Sequence, residues 1–243
     1  MHYGFIALLD SGIGGISVLK ELVNRFPNES FLYFGDNANA PYGNRNKYDI
    51  LSLVMKNIDE IKRYPLKAIV LACNTLSVNL ISEIKEYSGM PIFGVFPPVE
   101  RCLIKGQKTL LLATKKTAEQ YMGIKGLDTL GMLDLALSIE QNIFSPNKVN
   151  FEKSLTFSSI GSCNNQKGYY DNVILGCTHY NFIKKQIFDH FLPKNLIDGT
   201  NNTVNMLYKF LKNTKSLEKV KGFQDLFIGN SAIENKMFFE ISG

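Results

Sequence analysis

Two cysteines in this chain of 243 residues share one local setting. Val70-Leu71-Ala72-Cys73-Asn74-Thr75 and Ile174-Leu175-Gly176-Cys177-Thr178-His179 each read as an apolar strand, a small residue, a cysteine and short polar residues that open a helix. A helix start presents free N–H groups and a partial positive charge, and both favour thiolate over thiol and lower the pKa. A lone free cysteine is usually a small buried hydrophobe. Two in matching frames point instead to a paired role in proton transfer. Cys102 and Cys163 lack that frame and read as packing residues. His179, two residues after Cys177, is a candidate proton partner.

Two further segments frame the thiols. The first apolar run ends in Asp10-Ser11-Gly12-Ile13-Gly14-Gly15. It invites comparison with the dinucleotide fingerprint, but the third glycine is Ser17, and no Gly-Lys-Ser/Thr follows for a phosphate loop. What remains is a tight strand-to-helix turn with Asp10 and Ser11 at its mouth, whose N–H groups could hold a carboxylate. The polar loop Gly35–Gly43 carries Tyr42 between Pro41 and Gly43 and is suited to covering a ligand at a strand end.

These residues need a frame that brings strand ends together. Short apolar runs (Phe5–Leu9, Phe31–Phe34, Ala68–Ala72, Ile92–Phe96, Thr109–Ala113, Val173–Gly176, Leu226–Ile228) alternate with helix-like stretches (Gly15–Arg25, Lys47–Arg63, Thr75–Tyr87, Ala118–Leu127, Tyr180–Phe191, Thr203–Lys212). Such alternation predicts an α/β protein with largely parallel sheets, and the repeated cysteine frame predicts two similar α/β halves. Ligands of such sheets lie at the C-terminal strand ends. Ser158–Gly168 reads as a surface loop.

Composition narrows the class. Hydrophobic residues make up 45%, enough for a proper core, and charged residues 20%. The net charge of +5 (27 Lys+Arg, 22 Asp+Glu) is too diffuse to argue for nucleic acid. The densest lysine cluster, Lys212–Lys221, includes Glu218 and reads as a solvated helix face. The apolar run Phe5–Leu9 stops at Asp10, too short for a signal peptide or membrane span, so a cytoplasmic protein is expected. Four cysteines with no C-x-x-C pair and no histidine cluster argue against both a disulfide framework and a zinc site.

Taken in order, Asp10-Ser11-Gly-Ile-Gly-Gly, the Gly35-Asp36…Pro41-Tyr42-Gly43 loop, Ala72-Cys73-Asn74-Thr75 and Gly176-Cys177-Thr178-His179-Tyr180 closely resemble the glutamate racemases of the aspartate/glutamate racemase superfamily. The resemblance runs over nearly the whole chain. It implies two α/β domains with the active site in the cleft between them, here 1–96 plus 209–243 and 97–208. It implies interconversion of L- and D-glutamate for peptidoglycan synthesis, with no cofactor and no metal, in a homodimer. Cys73 and Cys177 would be the two acid/bases, with Cys73 serving the D-form. Asp10 and His179 would assist them. Substrate contacts would come from Asp10, Ser11, Tyr42, Gly43, Asn74, Thr75, Thr114, Thr178 and His179.

The chemistry fits these residue types. An α-proton is weakly acidic, and inversion needs a base on one face and an acid on the other. One thiol must be ionised while its partner is protonated. The chain departs from the family pattern at Pro97, where a glutamate is usual, and at Asn181, where a proline is usual. The family's other glutamate maps to Glu140, with Glu152 a poorer candidate. Alternatives are an aspartate racemase or related isomerase on the same scaffold, or a non-catalytic binding protein.

Overall fold

The computed structural model describes residues 4–157, 159–221 and 226–229. The chain begins with β1 (Phe5–Asp10), α1 (Ile16–Arg25), β2 (Ser30–Gly35), α2 (Lys47–Ile61), β3 (Leu66–Leu71), α3 (Asn74–Ser88) and β4 (Ile92–Gly94). After the short α4 (Val99–Cys102) come β5 (Thr109–Thr114), α5 (Lys115–Glu119), β6 (Leu127–Met132), α6 (Leu135–Gln141), α7 (Phe151–Phe157), β7 (Ser159–Gly161), β8 (Asn172–Gly176), α8 (Lys184–Phe191) and β9 (Asn195–Ile197). The last described elements are α9 (Thr200–Asn213) and β10 (Leu226–Gly229).

Two five-stranded sheets result, in the orders β10-β2-β1-β3-β4 and β7-β6-β5-β8-β9. Every described pairing is parallel except β6 with β7. Continuous apolar runs such as Phe5-Ile6-Ala7-Leu8-Leu9 are buried along their whole length, as strands covered on both faces must be. Helices cover them through apolar stripes. In α2 the buried residues Ile50, Val54, Ile58 and Ile61 recur every three or four positions. Asn46 caps that helix by accepting from the Asp49 N–H at 2.9 Å. Helix α3 stops at Gly89, whose φ of +65° is the left-handed cap that glycine adopts without strain.

The two sheets are wound alike. In the first, the chain moves from β1 out to β2, then crosses to β3 on the other side of β1; in the second, it moves from β5 to β6, then crosses to β8. Each sheet therefore has a topological switch point, β1/β3 and β5/β8, where helices leave on opposite faces and open a crevice at the C-terminal strand ends. Asp10 and Cys73 stand at the first crevice, Thr114 and Cys177 at the second.

Several sequence expectations are corrected here. Ala118–Leu127 is not a helix: α5 ends at Glu119, Gly123 and Gly126 take positive φ, and Leu127 starts β6 beside β5. The loop expected over Ser158–Gly168 contains β7, which pairs antiparallel with β6. The helix expected from Tyr180 starts as a 3-10 turn, Thr178–Ile183, before α8.

The lysine-rich segment is not a solvated helix face either. Helix α9 ends at Asn213, and Glu218 folds back onto the sheet. There Lys67 Nζ meets Glu29 Oε2 at 2.6 Å, Glu218 Oε1 at 3.0 Å and the Ser216 carbonyl at 3.0 Å, while the Glu218 N–H donates to Glu29 Oε1 at 2.9 Å. Helix α9 packs on α1 and β4, with Phe26 stacked on Tyr208, Arg25 over the same ring at 4.6 Å and Thr203 donating to the Gly94 carbonyl. Among the described residues, no helix is long and apolar enough to cross a membrane.

Glu29 is 1% exposed, so losing its cation strands a buried charge. Lys67→Ala is expected to lower unfolding free energy by about 3 kcal/mol or more in urea titrations; a loss under about 1 kcal/mol would show that the cluster is too solvated to matter.

Candidate active site

Asp10 ends β1 with its side chain fully buried. One oxygen, Oδ2, accepts the Gly15 N–H at 2.5 Å and faces Thr178 Oγ1 at 3.5 Å. The other, Oδ1, is buried with no hydrogen-bond partner among the described residues. Burial raises the Asp10 pKa to about 6; the charge of His179 and the Gly15 N–H hold it from going higher. The N–H groups of the glycine turn do hold carboxylates, but the chain's own: Gly15 holds Asp10, and Ile13 lies 3.2 and 3.3 Å from the two oxygens of Glu140.

Cys73 stands between β3 and α3, and Cys177 between β8 and the 3-10 turn. Both are buried. Cys73 Sγ lies 3.7 Å from Ser11 Oγ. The expectation that a helix start lowers the thiol's pKa is overturned here. The Leu76 N–H does reach the sulfur and pulls the pKa down, yet burial and the nearby Asp10 charge win and push it up to about 12. Cys177 faces another partner: its Sγ is 3.8 Å from His179 Nδ1.

His179 is 1% exposed and engaged at both nitrogens, Nδ1 toward Cys177 and Nε2 in contact with Glu140 Oε2. Burial alone would depress its pKa. The hydrogen bonds and negative charge of Cys177 and Glu140 outweigh that and hold it well above the ordinary imidazole value. Glu140, on α6, thus meets His179, whereas Glu152 on α7 pairs with His190 at 3.6 Å.

Hydroxyls and amides complete the walls. Thr75 Oγ1 and Thr114 Oγ1 are 3.0 Å apart, and Thr117 Oγ1 joins them at 3.5 and 3.2 Å. The Asn74 amide is committed to the Val95 carbonyl at 2.9 Å. A Cβ on Gly43 would lie 2.5 Å from that of Thr114, so only glycine lets this loop close on the second sheet. Tyr42, 1% exposed, donates its hydroxyl to Asp36, and Asn57 donates to both. Burial and Asp36 raise the Tyr42 pKa far above its usual value, so the phenol stays protonated.

Ser11, Gly43, Cys73, Asn74, Thr75, Thr114, Cys177, Thr178 and His179 line one cavity, together with Pro41 and Ala136. Asp10, Tyr42 and Glu140 are not on that lining and support it from behind. None of the lining residues is a lysine or arginine. The cavity is narrow, with a volume of ≈ 10 Å³. That is the room of about one water molecule. No role was legible in the sequence for Asp36, which stood there only as part of the Gly35–Gly43 loop, nor for Asn37, Asn57 or Thr117. A polar loop amide or a buried threonine carries no pattern that distinguishes it from a turn or core residue.

The Asp10 shift has a consequence for stability. In the folded chain Asp10 keeps its proton up to about pH 6, against about 4 when unfolded. Its ionisation therefore costs nothing below about pH 4 and costs the folded state roughly 3 kcal/mol above about pH 6. Asp10→Asn removes that titration. Its stability relative to wild type should climb by up to about 3 kcal/mol between pH 4 and pH 7.5, read from urea unfolding. A difference that stays constant over that range would contradict the raised pKa.

Known proteins resemble this chain in sequence and in arrangement. Residues 14–207 match the family model described as Asp/Glu/Hydantoin racemase. A glutamate racemase of Clostridium botulinum is 33% identical over 98% of this chain and 95% of its own length. One of Clostridium novyi is 32% identical over the same shares. Among solved structures, a glutamate racemase isoform of Bacillus anthracis superposes with a TM-score of 0.77 at 26% identity, covering 96% of this chain and 91% of its own. The Thermus thermophilus glutamate racemase, solved with β-chloro-D-alanine, gives 0.76 at 25% identity over 99% and 92%. With its two similarly wound sheets and two buried thiols at one cavity, this chain belongs to the Asp/Glu/hydantoin racemase family.

Proposed function

We propose that this chain interconverts L- and D-glutamate by a two-base reaction in which Cys73 and Cys177 act from opposite faces of the α-carbon. The observation that carries the reading is the pairing of the thiols. Each leaves a switch-point strand of its own sheet, both line one cavity, and each has its own polar partners, Ser11 and Asp10 for Cys73 and His179 with Glu140 for Cys177. Glutamate is the substrate named for the Clostridium and Bacillus relatives.

In the reaction one cysteine, as thiolate, takes the α-proton, and the other, as thiol, returns a proton to the opposite face. Roles exchange with direction. The lining offers hydroxyls of Ser11, Thr75, Thr114 and Thr178 and the N–H groups at the start of α3 to the carboxylates. The substrate's ammonium brings the positive charge that the lining lacks. Its approach favours ionisation of a thiol that burial otherwise keeps protonated. His179, kept cationic, stabilises the Cys177 thiolate. Because the cavity takes about one water, the two walls must separate to admit glutamate and close again around it.

The cleft would lie between 1–96 plus 209–243 and 97–208, except that residues 200–208, the first part of α9, would move with the first unit, against which α9 packs. By family resemblance the product supplies peptidoglycan synthesis, and the chain works in the cytoplasm as a homodimer without a cofactor. The direct assay follows the circular dichroism of L- and D-glutamate, and of aspartate, incubated with the purified chain. Both glutamate signals should decay to zero, and Cys73→Ala and Cys177→Ala should each lose activity by about a thousandfold or more. No decay with either amino acid would sink the enzyme reading, activity on aspartate alone would reassign the substrate, and a fully active cysteine variant would remove that thiol from the mechanism.

A further inference from the structure

We infer that Asn37 is a positioning residue for the proton transfer at Cys177, acting through Glu140 and His179; the inference rests on the racemase reading above. Asn37 lies in the loop after β2, in the first sheet's half of the chain. Its Nδ2 donates to Glu140 Oε1 at 2.7 Å across the cleft. The other Glu140 oxygen meets His179 Nε2, and His179 Nδ1 faces the Cys177 sulfur. A line of polar contacts therefore runs from Asn37 to the second thiol, and only its first link comes from the opposite wall together with the Ile13 N–H.

Three observations mark the bond as more than loop packing. The amide's orientation is dictated, because the opposite one would set its oxygen against a carboxylate oxygen. That orientation leaves Asn37 Oδ1 buried with no hydrogen-bond partner among the described residues, a cost the fold accepts to keep the donor on Glu140. Two glycines also clear the way. A Cβ on Gly35 would stand 2.6 Å from Asn37 Oδ1, and one on Gly12 2.5 to 2.8 Å from the Glu140 carboxylate. Any side chain at either place would push the pair apart. Since Asn37 and Glu140 belong to different walls, the bond forms as the cleft closes, and closure thereby sets the carboxylate that aims His179.

The test compares wild type, Asn37→Ala and Asn37→Asp in glutamate racemisation from pH 5.5 to 8.5. Asn37 is not on the cavity lining, so Asn37→Ala should lower kcat about tenfold or more with KM within about twofold. Asn37→Asp sets a carboxylate against Glu140, near the Asp10 and His179 charges. Its activity relative to wild type should be lowest at pH 8.5 and climb as falling pH protonates the new carboxyl and restores a donor. Should the alanine variant fail to fold, the aspartate profile carries the test. Wild-type kcat in Asn37→Ala, a loss confined to KM, or an Asn37→Asp ratio flat with pH would each overturn the assignment. An inactive wild type would instead fail the racemase reading itself.

Discussion

A thiolate taken out of water loses its hydration, and Cys73 and Cys177 are both taken out of water. The organisation of the site follows from that loss. Asp10 and Glu140 already bring negative charge close to the thiols, so a further anion is tolerated only where a partner is supplied. At Cys177 the partner is built in: His179 stays cationic because Glu140 and the sulfur outweigh its desolvation. At Cys73 it is not, and burial with Asp10 holds the thiol protonated. The two sides are thus unequal before any ligand arrives: His179 faces one sulfur, and Ser11 with the Asp10 carboxyl stands beside the other.

The fold supplies the symmetry that a two-base reaction would need, and the local chain supplies asymmetry. Both sheets turn at a switch point, so both present a cysteine at the same place in their topology. The helix starts differ, however. Cys73 opens the fifteen-residue α3, whereas Cys177 opens a six-residue 3-10 turn that carries His179 inward. The Gly35–Gly43 loop then binds the halves together, through Gly43 against Thr114 and Asn37 on Glu140. These two approaches require glycine at positions 35 and 43, where a Cβ would meet Asn37 and Thr114.

Much of this was legible in the residues, for identifiable reasons. The repeated strand–Cys–helix frame is local, so it pointed to both thiols and to two similar halves. The strands of both sheet centres are continuous apolar runs and were readable as such. The edge strands β7 and β9 are three residues long, too short to show a period, and β6 was hidden because the helix expected over Ala118–Leu127 took in its first residue, although Gly123 and Gly126 break that helix. Glu140 was suggested by family resemblance alone, since nothing in Ser138-Ile139-Glu140 marks it. The thiol pKa at Cys73 could not be read locally. A helix start favours the thiolate, and burial together with the Asp10 charge, neither visible in the local sequence, reverses the balance.

Whether the two thiols serve opposite faces of the α-carbon is read directly by solvent deuterium. With L- or D-glutamate in D2O, followed by mass spectrometry at early conversion, the inverted product should carry one deuteron at the α-carbon while the remaining substrate stays unlabelled, because the proton removed by one cysteine is not the one delivered by the other. Unlabelled product, formed by return of the same proton, would contradict the two-base mechanism and leave a single shuttling group in its place.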